Sequence, residues 1–323
     1  MRTNDVKSIA RQAFDRLVEA VEAGKSERLV EYLKAMGKFH KYSLGNAILI
    51  SVQKPDATHV AGYRTWQKLG RYVRKDEQGI AIMAPIVWRS RTVDRSDETE
   101  DEKGREEEMA VAFKTAYVFD VSQTEGRPLP DFAQVDGDPG VYAERLKEYV
   151  SSRGIKLEYS EALGSADGVS CGGLIKLKNG LSAAEEFSVL VHELAHEIFH
   201  KDRDRIHKDK KVKETEAEAV AFVVCHGVGL ETNSASSDYI QLYDGDRKTL
   251  LESLERIQRT AAEILEAVIA DNKSKCETED GEHCFRPDMA IHDPSAIQMT
   301  ANVKFFRNLA AFSSILLLSR TKD

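Results

Sequence analysis

His192 and His196 stand four residues apart in Val191-His192-Glu193-Leu194-Ala195-His196. On a helix that spacing projects both imidazoles from one face, within reach of a single ion. Glu193 lies beside them, placed to take a proton from an attacking water. This is the logic of the His-Glu-x-x-His motif, in which two neutral imidazoles fix zinc and the carboxylate serves as general base. Three fixed residues recur by accident in on the order of one chain in a hundred of this length. The local context therefore matters. Ser182-Ala183-Ala184-Glu185 is a capping box that predicts a helix start. Phe187, Leu190, Val191, Leu194, Ala195 and Ile198 would then form its apolar face.

A catalytic zinc requires a third protein ligand. His200 is poorly placed, because it follows His192 by eight residues, a rise of about 12 Å on a straight helix. The metzincin pattern also fails, since it requires a glycine and a third histidine further on. The next apolar helix offers Glu214, Glu216 and Glu218 at its start. A carboxylate on an apolar helix is costly to bury unless paired or metal-bound. Glu214 reads as an exposed residue favoured by the helix macrodipole. Glu216 and Glu218 point to opposite sides of the helix, so only one of them should be a ligand.

The elements that must position this motif can be read along the chain of 323 residues. Apolar residues between Val6 and Val21 fall at helical spacing and end at Gly24. Ser26 is placed to cap a second helix carrying Leu29, Val30, Leu33 and Met36. A third apolar stretch runs from Leu44 to Val52. The period then changes: Gly79 to Trp88 and Val111 to Val121 read as strands. Between them Ser90 to Glu108 is almost wholly polar and reads as a solvated hairpin loop. Residues 124–140 hold three of the seven prolines and mark a domain boundary. A helix from Val141 to Arg153, strands over 155–159 and 173–177, the motif helix, and helices over 215–230 and 249–269 complete the pattern.

Charge is uneven. Residues 1–90 carry 16 Lys/Arg and 9 Asp/Glu, a net of +7, in a chain whose net charge is −8. A basic segment on an acidic protein points to a polyanion partner for that segment, unless it is chance unevenness in surface charge. Tyr63, Trp66 and Tyr72 alternate there with Arg64, Lys68, Arg71, Arg74 and Lys75. Single-strand binders combine a cationic track for phosphates with rings on which bases stack. The plainer reading is a helix with Trp66 and Leu69 in the core and a solvated basic face. Four scattered cysteines give neither a disulfide framework nor paired zinc knuckles and fit a reducing cytoplasm. No signal-peptide pattern is seen at the N-terminus, and Leu309 to Leu318 is too short to span a bilayer.

Tyr42-Ser43-Leu44-Gly45-Asn46, Gly62-Tyr63-Arg64-Thr65-Trp66-Gln67-Lys68-Leu69-Gly70-Arg71-Tyr72-Val73-Arg74-Lys75 and Tyr117-Val118-Phe119-Asp120-Val121-Ser122-Gln123-Thr124-Glu125-Gly126 resemble the N-terminal domain of ArdC-type antirestriction proteins. Residues 187–230 resemble the metallopeptidase half of the same proteins and the ImmA/IrrE-like zinc peptidases. The resemblance covers roughly residues 40–270. It implies a domain that binds single-stranded DNA, on proteins of plasmids and other mobile elements, with Tyr42, Asn46, Tyr63, Trp66, Lys68, Arg71, Arg74 and Lys75 as candidate contacts. It also implies a third zinc ligand in a Glu-Ala-x-x-apolar-Ala helix. That pattern falls on Glu216, whereas an alignment anchored on Cys225 and Gly229 would choose Glu218.

The expected architecture is α+β with two domains. Residues 1–128 would form N-terminal helices with a small antiparallel sheet, the single-stranded-DNA-binding domain, interrupted by an acidic loop at 91–110. Residues 138–270 would form a zincin-like (gluzincin) metallopeptidase domain. Residues 271–323 read as a poorly ordered tail. In the expected activity zinc polarises a peptide carbonyl, Glu193 activates water, and His192, His196 and Glu216 hold the ion. The substrate would be a DNA-associated protein or the chain itself, in the cytoplasm and away from any membrane. The alternative is a non-catalytic protein that shields single-stranded DNA and whose zinc braces the fold.

Overall fold

The computed structural model describes residues 1–88, 110–128, 137–200, 210–230, 242 and 246–269. The acidic loop expected at 91–110, up to residue 109, and the tail at 271–323 lie outside the described residues.

Helix α1 (Thr3–Glu22) buries Val6, Ala10, Ala13, Leu17, Val18 and Val21, the stripe that its spacing predicts. Gly24, at φ +74°, makes the turn that few other residues tolerate. Ser26 precedes α2 (Glu27–Lys38) as expected, but its side chain makes no capping bond. Ser43 does cap α3 (Leu44–Gln53), accepting from the Asn46 amide. Strand β1 (Val60–Gly62) leads directly into the short helix α4 (Tyr63–Lys68), followed by β2 (Arg71–Val73).

The two strands read in the sequence are β3 (Ile80–Trp88) and β4 (Ala110–Asp120), an antiparallel pair in register from Ile80↔Val118 to Trp88↔Ala110. β1 pairs with the other edge of β4, giving the order β1-β4-β3. A 3-10 turn (Val121–Gln123) follows, and β5 (Thr124–Gly126) returns to pair with β2. Ile80, Ile82 and Val118 pack with Ala35, Phe39, Ala47 and Ile50 on one side of the sheet. Ala81, Met83 and Phe113 pack with Val6, Ala10 and Leu49 on the other.

Beyond residue 137 come α5 (Val141–Ser152), β6 (Lys156–Ser160), β7 (Gly168–Ser170) and β8 (Leu174–Lys178). β6 and β8 run parallel, and β7 lies antiparallel on the far edge of β8. The long helices α6 (Ala183–His200), α7 (Lys210–Gly227) and α8 (Arg247–Ile269) follow.

The main hydrophobic core is not confined to the part after residue 138. Leu17, Val21, Leu29, Leu33 and Met36 of α1 and α2 share one cluster with Val191, Leu194, Val220, Val224, Ile257 and Leu265 of α6, α7 and α8. The crossing of α2 over α7 is close. A Cβ on Gly37 would stand 2.7 Å from the Val223 carbonyl oxygen, so only glycine fits. The Gln258 amide of α8 donates to the Tyr42 carbonyl at 3.1 Å. The N-terminal helices therefore brace α7, against which the histidine-bearing α6 packs. Among the described residues no helix is long and apolar enough to cross a membrane.

Candidate metal centre

The expected capping box opens α6. The Ser182 amide donates to Glu185 Oε2 at 2.9 Å and the Glu185 amide donates to Ser182 Oγ at 3.3 Å. Phe187, Leu190, Val191, Leu194 and Ala195 are buried and fix the rotation of the helix. That rotation turns His192 and His196 towards α7, with their ring centroids 4.8 Å apart.

Three donor atoms converge there. His192 Nε2 and His196 Nε2 are 3.1 Å apart, and Glu214 Oε2 lies 3.6 Å from the first and 3.3 Å from the second. Among the described residues this is the group of three whose ligand atoms all lie within 4.8 Å of one another. Zinc bonds to nitrogen and carboxylate oxygen of roughly 2.0–2.2 Å give a tetrahedron with edges of roughly 3.3–3.6 Å. The triangle fits one face of such a tetrahedron, and no fourth His, Cys, Asp or Glu among the described residues joins the group.

The three glutamates of α7 have separate places. Glu218 Oε2 stands 3.5 Å from His192 Nδ1, on the far side of the ring from Glu214. Glu216 is fully buried and turned towards α8, where it accepts from Ser253 Oγ at 2.7 Å and faces Arg256 at 3.5 Å. The structure thus brings Glu214 to the histidines and places Glu216, the residue favoured by the resemblance, in a buried ion pair. Glu214 read as an exposed helix-start residue, and its side chain is 51% exposed. The signal that could have found it is its spacing. Glu214 and Glu218 are four residues apart, so they share one face of α7, as the two histidines share one face of α6.

Glu193 is 7% exposed, under the edge strand β7. The backbone of Ser170 hydrogen-bonds its carboxylate. A Cβ on Gly168 would lie 2.9 Å from Glu193 Cγ and 2.6 Å from Val189 Cγ1, so the absence of a side chain at 168 makes room for the carboxylate. Burial pushes the Glu193 carboxyl above the usual carboxylate range; the neighbouring His192 opposes this and Glu214 adds to it. For His192 burial disfavours the charged ring, but Glu218, Glu193 and Glu214 outweigh it and raise its pKa. Surroundings that favour a proton in this way also favour a cation. Glu197, one turn further along α6, accepts from the amides of Gly172 and Gly173 at 2.8 and 2.7 Å and fixes the turn after β7.

The candidate nucleic-acid contacts separate into two groups. Trp66 is 2% exposed and donates from Nε1 to the Phe119 carbonyl at 2.9 Å. Asn46 is buried, and its amide exchanges two 2.9 Å bonds with the backbone of Met83. Tyr42 donates to the Val60 carbonyl, and burial pushes its hydroxyl up to about 12. Arg71 holds Thr124 and the Arg127 carbonyl, and Arg74 holds Glu77 and the Ser122 carbonyl. These five side chains are engaged within the fold. Tyr63, Lys68 and Lys75 are exposed.

The fold and site define a mixed helix-and-sheet protein with a His-Glu-x-x-His helix braced by an N-terminal helical module. Residues 7–119, from α1 to the end of β4, match the family described as the N-terminal domain of anti-restriction factor ArdC. Over that span the chain is ArdC-like. An uncharacterized protein of Bacillus anthracis is 22% identical over 304 residues, 81% of this chain and 52% of that protein. The chain thus spans about half the length of this curated relative. Two crystal structures of the antirestriction protein ArdC from plasmid R388 are also similar. The metal-free one shares 21% identity over 81% of this chain and 98% of that one, at a TM-score of 0.46. The Mn(II)-bound one shares 20% over 72% and 90%, at a TM-score of 0.40.

Proposed function

We propose that this chain is an antirestriction-type protein of a mobile element. In this reading its N-terminal part binds single-stranded DNA, and α6 and α7 carry a zinc-dependent peptidase centre. It would act in the bacterial cytoplasm on a DNA-associated protein or on itself. One observation carries the hydrolytic half: three donor atoms at tetrahedral spacing beside a buried carboxylate, with no fourth protein ligand among the described residues. Structural zinc sites close all four positions with protein ligands, whereas catalytic ones use three.

His192, His196 and Glu214 would hold the ion, and Glu218 would orient His192 through Nδ1. A zinc ion held there supplies Lewis acidity towards a carbonyl oxygen and towards water. Glu193 takes the proton from the attacking water and passes it to the leaving nitrogen, within hydrogen-bond reach of the Ser170 backbone that holds it. Peptide is the favoured substrate because β7 is a sheet edge beside the base, and an extended chain can add to such an edge through main-chain bonds. The DNA half rests on the ArdC-type N-terminal domain and the +7 charge of residues 1–90.

The test is Glu193→Gln. The variant should retain zinc and its melting temperature while losing cleavage of itself or of a DNA-bound protein in the presence of single-stranded DNA. Cleavage at the parent rate would remove Glu193 as the base. If the zinc-loaded parent cuts nothing, the chain is a DNA-shielding protein whose metal is structural.

A further inference from the structure

Tyr117 and Phe119 alternate along β4 with Ala116 and Val118, which pack into the core on the opposite side of the sheet. Both rings therefore stand on the other face. Residues two apart on one strand are roughly 6.6–6.8 Å apart. Tyr63, at the start of α4, stands beside Phe119, its ring centroid 6.5 Å away and its plane turned edge-on at 70°, so that the two rings offer differently inclined faces. Gly79, the residue before β3, lies between Tyr117 and Phe119. A Cβ there would come within 3.0–3.2 Å of Tyr117 and Phe119, so any other residue would crowd the row.

The row is held from below and at its end. Trp66 ties α4 to β4 through the Phe119 carbonyl, which fixes Tyr63 beside Phe119. The Tyr117 hydroxyl accepts from the amino group of Met1 at 2.7 Å. Even so, Tyr117 is 44% exposed and Tyr63 49%. Rings already locked in place lose little freedom when a partner covers them, which makes an exposed aromatic row a good docking surface.

The charge around the row selects the partner. Segments 57–75 and 110–119, which carry it, contain six Lys/Arg and no Asp or Glu. A border in which Arg64, Lys68 and Lys75 are exposed beside aromatic faces suits a polyanion with flat apolar groups. The ring spacing is roughly twice the 3.4 Å rise of a stacked strand. It therefore suits a strand whose bases are drawn apart and laid one to a ring, the way sheet-borne aromatics take single strands.

We infer that Tyr117, Phe119 and Tyr63 form a base-stacking platform for single-stranded DNA, with Gly79 as the gap that lets the rings lie in a row. The inference rests on the reading that the N-terminal part binds single-stranded DNA, and it names the surface that does so.

The full chain is titrated into labelled oligothymidylate at several salt concentrations, with Tyr117→Ala, Tyr63→Ala, the matching Phe substitutions, and a charge control, Arg64→Ala with Lys68→Ala. Circular dichroism confirms that each variant is folded. Each Ala substitution should weaken binding roughly 5- to 150-fold and leave the slope of log K against log salt unchanged. The Phe substitutions, which keep the ring, should bind like the parent. The charge control should weaken binding and lower the slope. If Tyr117→Ala and Tyr63→Ala bind like the parent while the charge control weakens, the platform is overturned and single-strand binding stands. Equally weak binding by the Phe and Ala variants would assign the effect to the hydroxyl and overturn stacking. Equal parent affinity for duplex and single strand also overturns it. A parent chain that binds no oligonucleotide at low salt overturns the underlying reading as well.

Discussion

Glu218 addresses His192 through Nδ1, 3.5 Å from its Oε2, while the Nε2 of the same ring faces His196 and Glu214. A ring engaged on both nitrogens has its tautomer and orientation set, the arrangement by which outer carboxylates position metal-ligating histidines. The two glutamates should then differ in kind. Glu214→Ala removes a donor of the triangle and should abolish stoichiometric zinc, as should His192→Ala and His196→Ala. Glu218→Gln should leave one zinc per chain but weaken its affinity by about 10–100-fold. Competition with a chelator of known affinity measures both. Full retention of zinc in Glu214→Ala, or its loss in Glu218→Gln, would exchange the two roles.

Glu216 should matter to the fold and not to the metal. Its carboxylate is buried against Ser253 and Arg256, whose side chain is 12% exposed. Removing one member of a buried pair leaves the other charge without compensation, at a cost of about 3–5 kcal/mol. Glu216→Ala should therefore lower the denaturation midpoint in the metal-free protein as much as in the zinc-loaded one. A fall seen only in the zinc-loaded protein would make Glu216 a ligand after all.

Asn46 should behave in the same way towards DNA. Its side chain replaces a pairing partner for Met83, donating to the carbonyl and accepting from the amide. Asn46→Ala leaves two buried backbone groups unsatisfied, at a cost of roughly 2–4 kcal/mol. Thermal melting should show the loss, while the folded fraction keeps its oligonucleotide affinity. A specific loss of affinity in a fully folded variant would return Asn46 to the DNA surface.

The motif helix was legible because three local signals agree on it: the capping box at Ser182, the apolar stripe, and the paired histidines. The long strands β3 and β4 were legible by composition. What failed to show was whatever depends on how one element turns against another. Glu214, Glu216 and Glu218 lie within a single turn or so of α7, and only its packing on α6 and α8 decides which of them meets the histidines. Trp66 has the same side chain whether it stacks a base or anchors α4, and its burial is a tertiary fact. The stripes of α1 and α2 announce helices that bury one face but not that the face is shared with α6, α7 and α8. β1, β2, β5 and β7 are three residues each, too short for alternation to register.

His40 should give the chain a pH dependence separate from the His192–His196 site. The ring sits at the end of α2, with Nδ1 3.3 Å from the Gly37 carbonyl and Nε2 buried with no hydrogen-bond partner among the described residues. Burial, reinforced by Lys41 and opposed by the Gly37 carbonyl, lowers its pKa from 6.5 to about 4. The fold therefore favours the neutral ring. Between those two values the unfolded chain binds a proton that the folded chain does not. The contribution of His40 to stability is complete above pH 6.5 and is lost as pH falls towards 4. The loss is bounded at roughly 3 kcal/mol by the size of the shift. His40→Gln stays uncharged throughout and should lack this component. Urea midpoints compared at about pH 7.5 and about pH 5, with chelator present so that zinc release does not contribute, should fall further in the parent than in His40→Gln. Parallel declines in the two proteins would show that the ring takes up its proton in the folded state as readily as in the unfolded one.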